Sequence, residues 1–391
     1  MKRQILVHDD ESAPIKRYTR KLRELDIVRR NFEVSPLEIE EFADEMRKLI
    51  ERQRALRKGK KKYPQDSKLD HTDIFIVDYD LLKSIPNANW NSEMVAYLAR
   101  CFSTCGLLIG LNLPPMREFD LTLRGNLSSF ADLNIVSNQL KNRGLWGGVA
   151  EGFRPWYWPP LLSFLESFEL KVKEVKHHLN DAICEVVGIK DIAGILPHSV
   201  IEFIGGSNPL RTTFRDFITD SANALRRKDR NPDIETLSRI AASRISKWLE
   251  RRVLPGQNFV VDAPHLVSRF PSLLSGDHSR LETWNKTATF GDYKSLGLYD
   301  SMIDAFRFKR LHWFSRPVWF WRELAESERV KEVREPWEKR PSDYKFCEDA
   351  SKFYRKTLCK EFSADVDSPY DLRYVRRFPR IDYEPLTRLV V

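Results

Sequence analysis

The sequence predicts a doubly wound α/β domain with a parallel sheet over residues 1–145, followed by a mainly α-helical domain over residues 161–391. In the first part, short and continuously apolar segments alternate with amphipathic helices, which is typical of a parallel sheet covered by helices on both faces. Tryptophan, glycine and proline are concentrated in residues 146–160, which we interpret as the junction. Beyond it, apolar residues recur mainly at helical spacing.

Five short segments are predicted to form the strands of the sheet. Each is rich in large apolar residues and is too short for a typical helix. Apolar side chains on both sides of a strand indicate that both faces of the sheet are buried. The segments are residues 4–7, 32–34, 73–78, 105–111 and 133–136.

The helices between these strands are indicated by apolar residues three and four positions apart. Segments 14–27 and 90–102 show this spacing. A third helix has the clearest start signals, because Ser35 is a favoured N-cap residue, Pro36 suits the first helical position and Glu38 completes a capping box. This helix is expected to end in a basic run.

The second part is predicted from the same periodicity. Amphipathic segments at 161–187, 232–252, 299–314 and 343–362 are predicted as helices, and residues 259–261 as one strand.

The amino-acid composition limits the classes of protein to which this chain can belong. Of the 391 residues, 42% are hydrophobic and 12% aromatic, so the chain has the material for folded cores. It lacks an apolar stretch of the ~18 residues that a membrane span requires, and its first residues do not form an export signal. The five cysteines are scattered, which favours a reducing compartment without structural disulfides. We therefore expect a cytoplasmic protein that does not bind a membrane.

Acidic residues follow two of the predicted strands. Asp9 and Asp10 come directly after segment 4–7, and Asp78 ends segment 73–78. Because ligands bind at the carboxyl ends of parallel strands, a doubly wound order would bring these three carboxylates together. Without a counterion they would raise one another's pKa. A hard divalent cation such as Mg²⁺ prefers such oxygen ligands and would remove that repulsion.

The two acidic segments, Ile5-Leu-Val-His-Asp9-Asp10-Glu11 and Ile74-Phe-Ile-Val-Asp78-Tyr79-Asp80-Leu81, resemble the signature strands of response-regulator receiver domains. The resemblance covers about residues 1–145 and implies a flavodoxin-like sheet. It also implies that Asp9, Asp10 and Asp78 hold Mg²⁺ together with the main-chain carbonyl of Asp80, and that Asp78 accepts a phosphoryl group. A carboxylate beside a metal ion can attack phosphorus because the metal offsets the charge.

The chain departs from the receiver pattern at the ends of two other strands. Receivers carry Thr or Ser after the fourth strand, where this chain has Leu111 and Asn112, and Lys after the fifth, where it has Ser137. Without that Lys, the phosphate loses a charge partner. Phosphorylation of Asp78 would then be slower, read differently or absent, and we favour a divergent or inactive receiver, a type found in bacterial regulatory and defence proteins. The alternative is that these acids only make turns and cap helices.

Basic residues outnumber acidic ones, giving a net charge of +9, which raises the prospect of a nucleic-acid partner. Two groups are candidates for phosphate contacts: a run after the predicted third helix and one face of helix 232–252. The alternative for the run is a solvated helix end that complements the helix dipole. The candidates are Arg52, Arg54, Arg57, Lys58, Lys60, Lys61 and Lys62 in the run, and Arg244, Lys247 and Arg251 on the helix.

A second cluster of titratable residues lies in the C-terminal part. Asp262, His265, Asp277 and His278 could supply a general base or a metal site for a hydrolase. Their spacing matches no catalytic motif, and the alternative is a loop-rich surface with ordinary helix caps.

The function that we expect is regulatory. In this hypothesis, a receiver-like domain takes in a signal or docks a protein partner and controls the helical part. Nucleic-acid binding through the basic surfaces and hydrolysis near residues 262–282 are the alternatives, and the sequence does not indicate an oligomeric state.

Overall fold

The structure is a computed structural model, and it describes most of the chain with gaps. The described residues are 2–58, 66–81, 90–112, 129–147, 160–189, 196–220, 234–257, 260–288, 300–327, 343–348, 350–363 and 372–376. Most of the predicted junction, residues 148–159, lies outside them.

The first part forms a five-stranded sheet in which all neighbouring strands are parallel. Its order is β2-β1-β3-β4-β5, so the chain begins in the interior of the sheet and reverses its direction of winding after β2. This is the flavodoxin-like order, and it confirms the predicted sheet. The strands are β1 (Arg3–His8), β2 (Phe32–Pro36), β3 (Ile74–Asp78), β4 (Leu107–Asn112) and β5 (Leu133–Val136).

Helices flank this sheet. In the described residues, α3 contacts α4, whereas α1 and α5 both contact α2. The helices of this part are α1 (Ser12–Arg23), α2 (Asp26–Asn31), α3 (Ile39–Arg57), α4 (Ser92–Phe102) and α5 (Arg143–Trp146).

The predicted start of the third helix is wrong by three residues, because α3 begins at Ile39 and not at Pro36. Ser35 and Pro36 belong to β2, where they pair with Leu6 and Val7 of β1. The next residue, Leu37, still donates its N–H to the carbonyl oxygen of Val7 at 2.8 Å. The capping signals were outweighed because pairing with β1 satisfies the main chain of this segment in an extended conformation.

Helices make up much of the second part, but shorter ones than the sequence predicted. Predicted segment 161–187 is divided into two helices, and of predicted segment 299–314 only one short α-helix is present. The helices are α6 (Leu161–His177), α7 (Ile183–Val187), α8 (His198–Ile201), α9 (Phe214–Asp220), α10 (Ile234–Trp248), α11 (Leu254–Gly256), α12 (Ala263–Arg269), α13 (Leu281–Thr287), α14 (Asp300–Ile303) and α15 (Trp321–Glu326).

The second part also contains two further sheets, so the prediction of a mainly helical domain is not confirmed. An antiparallel pair joins β6 (Val260–Asp262) to β7 (Val318–Phe320). A four-stranded sheet has the order β10-β11-β8-β9. Its strands are β8 (Tyr344–Cys347), β9 (Lys352–Arg355), β10 (Lys360–Ser363) and β11 (Leu372–Val375).

The helix predicted over 343–362 is wrong because its aromatic residues pack across a hairpin. Phe346 of β8 lies opposite Phe353 of β9, with ring centroids 5.3 Å apart. Cross-strand aromatic pairs of this kind stabilise a hairpin over a helix.

The two parts of the chain share one hydrophobic core, which extends from Ile5 in β1 to Phe353 in β9. The helix α10 contacts both α6 and α4, and it is buried around its circumference from Thr236 to Trp248. None of the described helices combines the length and apolar character needed to cross a membrane.

Candidate functional site

The acidic residues of the predicted site lie at one edge of the parallel sheet. β1 and β3 are neighbours, with Val7 opposite Ile76 and His8 opposite Val77. Asp9 follows the end of β1, and Asp78 is the last residue of β3, so both lie at the carboxyl edge of adjacent strands. Asp9 is only 5% exposed, whereas Asp78 is partly buried. We call Asp9, Asp10 and Asp78 the acidic pocket.

The two central carboxyl groups of the acidic pocket have raised pKa values. Burial raises the pKa of Asp78 to about 7, and the negative charge of Asp9 is the next cause. Burial likewise raises the pKa of Asp9 to about 6, with a smaller contribution from the charge of Asp10. Each group is held where its ionised form is disfavoured, and this is the situation that a bound cation relieves.

The same carboxylates also organise the turns that follow their strands. The Oδ1 atom of Asp9 accepts a hydrogen bond from the N–H of Glu11 at 3.0 Å. The Oδ2 atom of Asp78 accepts one from the N–H of Asp80 at 3.2 Å. These acids therefore also form turns, which was the alternative to a metal site in the sequence analysis.

The chemistry of the donors fits a magnesium ion. The side chains of the acidic pocket supply carboxylate oxygens, and Mg²⁺ usually takes one or two carboxylates while it keeps several waters. Within the described residues, no group of three or more His, Cys, Asp or Glu side chains is arranged as a ready metal cage. A magnesium ion held here would therefore have few protein ligands, with Asp78 and one of Asp9 and Asp10 as the candidates, and water would complete its shell.

The neighbouring strands place the two departures from the receiver pattern at this edge. Asp78 is in register with Leu111 of β4, and Ser137 directly follows the end of β5. The charges with the largest effect on the pKa of Asp78 are the negative ones of Asp9, Asp10 and Asp80, and the charge of Arg17 lowers the pKa of Asp9. Residues 113–128, which follow β4, lie outside the described residues.

His8 directly precedes the acidic pocket, and the sequence analysis did not identify it as a candidate. Its ring is fully buried and stacks on Phe42 with centroids 3.7 Å apart, and its Nδ1 atom lies 2.8 Å from the carbonyl oxygen of Leu37. Burial lowers the pKa of His8 to about 4. This histidine is therefore neutral near pH 7 and supplies no positive charge to the acidic pocket.

Comparison of the chain with family models, with curated proteins and with solved structures finds no match. The resemblance to receiver domains therefore depends on the two acidic segments and on the order of the parallel strands.

Arg52, a candidate for phosphate contacts, is buried, so this prediction is wrong for it. Its guanidinium donates to both carboxylate oxygens of Asp70, at 2.9 and 2.5 Å, and to the carbonyl oxygen of Phe102 at 2.8 Å. The bidentate pair joins α3 to the segment before β3.

Other members of the basic run have different surroundings. Arg54 and Lys58 are exposed, and their side chains are accessible to a polyanion. The side chain of Arg57 and all of Lys60, Lys61 and Lys62 lie outside the described residues.

The basic residues of predicted helix 232–252 were expected on an outer face, and this is wrong for Arg244 and Lys247. Arg244 is 8% exposed and lies over the rings of Phe203 and Phe217. Lys247 is 3% exposed and donates to main-chain oxygens of residues 129 and 131. The partly buried Arg251 donates to the carbonyl oxygen of residue 132 at 2.6 Å. Lys247 and Arg251 therefore hold this helical segment against the first part, whereas Arg244 packs within the second part.

The structure brings together two of the four residues considered for a hydrolase. The Nδ1 atom of His265 lies 2.6 Å from Oδ1 of Asp262, and its Nε2 atom lies 3.6 Å from Oε1 of Glu348. Arg316 pairs with Asp262, and Arg373 pairs with Glu348. All five side chains are buried, so this group is a closed charge cluster that joins α12 to the four-stranded sheet.

Asp277 and His278 have local partners instead. The Oδ1 atom of Asp277 accepts from the N–H of Ser279 at 2.9 Å, and the Nε2 atom of His278 lies 2.6 Å from the carbonyl oxygen of Leu274. The predicted grouping of all four residues into one site gains no support from these contacts.

Proposed function

We propose that this chain is a regulatory protein whose receiver-like part, residues 1–145, binds Mg²⁺ in the acidic pocket and acts as a divergent receiver. The observation that carries the proposal is the position of Asp9 and Asp78 at the carboxyl edge of neighbouring strands in a sheet of order β2-β1-β3-β4-β5. In such sheets the ligand site lies where the direction of winding reverses, next to the first strand.

The electrostatics of the pocket supports cation binding. With carboxyl pKa values raised to about 6 and 7, the empty pocket holds protons that a divalent ion would displace. Magnesium affinity is therefore expected to rise as the pH increases from 6 to 8. Asp78 and one acid of β1 would bind the ion, and the Asp80 carbonyl would complete the protein ligands.

We expect phosphorylation of Asp78 to be weak or absent. A phosphoryl group on Asp78 would add negative charge beside the carboxylates of Asp9, Asp10 and Asp80. Ser137 follows β5 where receivers have a lysine, so the neutralising ammonium is missing there. We therefore propose that occupancy by the cation, or docking of a protein partner, is the regulatory input.

The contacts of α10 support a link between this input and the second part. Ser243 and Lys247 reach the segment Ser129–Asp132, which leads into β5. Because β5 and the acidic pocket belong to the same sheet, a change at one edge can be transmitted to α10 through packed elements.

The first test is magnesium binding by calorimetry at pH 8 with the full chain. The wild type is expected to bind Mg²⁺, whereas Asp78→Asn should weaken binding at least about tenfold because it removes a charged ligand. The matched control is Asp44→Asn, which removes an exposed carboxylate on α3 that pairs with Arg47. Equal binding by wild type and Asp78→Asn would contradict the proposed site.

The second test is intact mass after incubation with a small phosphodonor and Mg²⁺. No added mass in a chain that binds Mg²⁺ supports a divergent receiver without phosphorylation. If the wild type gains one phosphoryl group and Asp78→Asn does not, the receiver is phosphorylated at Asp78. That result would contradict the proposal that phosphorylation is weak or absent.

A further inference from the structure

Two cysteines far from the acidic pocket lie side by side. Cys347 is the last residue of β8, and Cys359 directly precedes β10. Their sulfur atoms are 3.4 Å apart, and the Cys347 thiol donates to the sulfur of Cys359. Both are free thiols in the structure.

The two thiols differ in access. Cys347 is fully buried, whereas Cys359 is partly exposed. The other three cysteines are buried, and burial raises the pKa of Cys101 and Cys105 to about 12 and that of Cys184 to about 11. Only the Cys347–Cys359 pair, among the described residues, therefore combines a reachable thiol with a second thiol in contact.

We infer that Cys347 and Cys359 are a thiol oxidation site, which hydrogen peroxide or a small disulfide converts reversibly to an intramolecular disulfide. The sulfur atoms need to approach by only about 1.4 Å to reach bonding distance. Such a movement is within the reach of side-chain rotation and small shifts of the connection between β9 and β10.

The chemistry runs through the exposed thiol. The thiolate of Cys359 attacks one oxygen of hydrogen peroxide, the O–O bond breaks, and water leaves after protonation, so that Cys359 becomes a sulfenic acid. The Cys347 thiol then attacks this sulfur, loses its proton, and a second water leaves as the S–S bond forms. Two thiols are oxidised and one peroxide is reduced to two waters.

The surroundings of Cys359 contain both carbonyl acceptors and lysine side chains. Its thiol donates to the carbonyl oxygen of Arg355 at 3.2 Å. Lys345 of β8 is partly buried, with its ammonium over the ring of Tyr374, and it interacts electrostatically with Cys359. Lys356 lies in the turn before Cys359, and its carbonyl oxygen accepts the N–H of Cys359 at 3.0 Å. A cation near a cysteine stabilises the thiolate once the thiol has lost its proton.

The disulfide would close a short loop that contains β9. Cys347 pairs with Tyr374 of β11, and the strand after Cys359 is also paired with β11. Residue Glu348, next to Cys347, belongs to the buried charge cluster with His265. Oxidation therefore fixes the part of the four-stranded sheet that is anchored to α12.

The test uses the full chain, first reduced and then exposed to hydrogen peroxide at low molar excess. Intact mass should fall by about 2 Da because two hydrogens are lost, and a thiol reductant should restore it. After denaturation, a thiol-specific alkylating reagent should label two fewer of the five cysteines. Peptide mapping should place the link between residues 347 and 359.

Variants separate this site from general oxidation. Cys359→Ser, at the partly exposed position, should fold and abolish the 2-Da loss, while Cys184→Ser should keep it. Melting temperature should rise by about 2–8 °C on oxidation of the wild type and not of Cys359→Ser. Sulfinic acid on Cys359 with Cys347 still alkylated, or a link to any other cysteine, would overturn the inference.

Discussion

Lys247 of α10 donates a hydrogen bond of 2.5 Å to the main-chain oxygen of Ser129, which lies 118 residues earlier in the chain. Its ammonium also bonds the carbonyl oxygen of Ala131. Burial, followed by the neighbouring charge of Arg251, lowers the pKa of Lys247 to about 7. A single side chain of the second part therefore satisfies two main-chain acceptors of the segment that leads into β5.

Replacing Lys247 with Met should loosen this contact. Two buried carbonyl groups lose their donor, so we expect unfolding in urea to require about 2 kcal/mol less free energy. Hydrogen exchange should become faster in β5. Lys286→Met, an exposed change on α13, is the control. Unchanged stability of Lys247→Met would show that the hydrogen bonds of Lys247 contribute no net free energy.

Replacing Asp78 with Asn should stabilise the metal-free chain at alkaline pH. The pKa of Asp78 is raised from 3.8 to about 7 in the folded chain, so its contribution to stability is complete below pH 3.8 and is lost as the pH rises through 7. The variant does not undergo this loss. At pH 8 with a chelator, it should be more stable than the wild type by about 1–2 kcal/mol.

The stability of the wild type and of Asp78→Asn is compared at pH 4 and at pH 8, and at pH 8 also with Mg²⁺. At pH 4 the wild type and Asp78→Asn should have similar stability, since both side chains are neutral. At pH 8, added Mg²⁺ should stabilise only the wild type. A variant that is less stable than the wild type at pH 8 with chelator would mean that the turn formed by Asp78 outweighs the repulsion.

Replacing His265 with Ala should strongly destabilise the fold. Burial alone would lower the pKa of His265, but Asp262 and Glu348 raise it above its ordinary value. Removing the ring leaves two buried carboxylates with less positive charge, which costs about 3 kcal/mol. Chemical denaturation at pH 6 measures this cost, with His177→Ala on the surface of α6 as the control.

The pH dependence distinguishes a structural His265 from a catalytic one. Because its pKa is raised on folding, its contribution to stability is complete below pH 6.5 and is lost as the pH rises through the folded value. The wild type should therefore lose more stability than His265→Ala between pH 6 and pH 9. A variant of normal stability that lacks a hydrolytic activity would instead support the alternative of an enzyme.

Replacing Arg52 with Met should affect stability and not nucleic-acid affinity. The change leaves the partly buried Asp70 without its bidentate partner, at a cost of about 3 kcal/mol. Arg54→Met, on the exposed side of the same helix, should cost less than about 0.5 kcal/mol. Thermal denaturation measures the stability of both variants. Binding to a DNA duplex at two salt concentrations tests whether Arg52 contributes to nucleic-acid affinity. If only Arg52→Met flattens the salt dependence, Arg52 contacts phosphate after all.

The parallel sheet was predictable because its signal is local. In β3 the four residues Ile74–Val77 are buried, so a run of apolar residues on both faces was enough to indicate a central strand. The carboxylates of the acidic pocket were predictable for a related reason, since parallel strands end at one edge. Their turn-forming hydrogen bonds agree with the known preferences of aspartate.

The sequence predictions were wrong where the structure of a residue depends on a partner that is distant in the chain. Ser35 has the sequence of a helix start, yet its position in the sheet depends on Leu6. Lys247 of α10 has the spacing of a solvent-facing residue, yet its acceptor at Ser129 lies 118 residues away in the chain. The proximity of Cys347 and Cys359 depends on pairing with β11 in the same way, and spacing alone did not indicate it.

The contact of α10 with the first part also bears on how the chain is made. Ser243 bonds the buried carboxylate of Asp132 across 111 residues, and α10 covers α4. A ribosome that has released the first 145 residues has not yet synthesised α10, so Asp132 and the apolar side of α4 remain exposed to water at that stage. The nascent first part is therefore expected to mature late, and to depend on chaperones until about residue 250 has emerged.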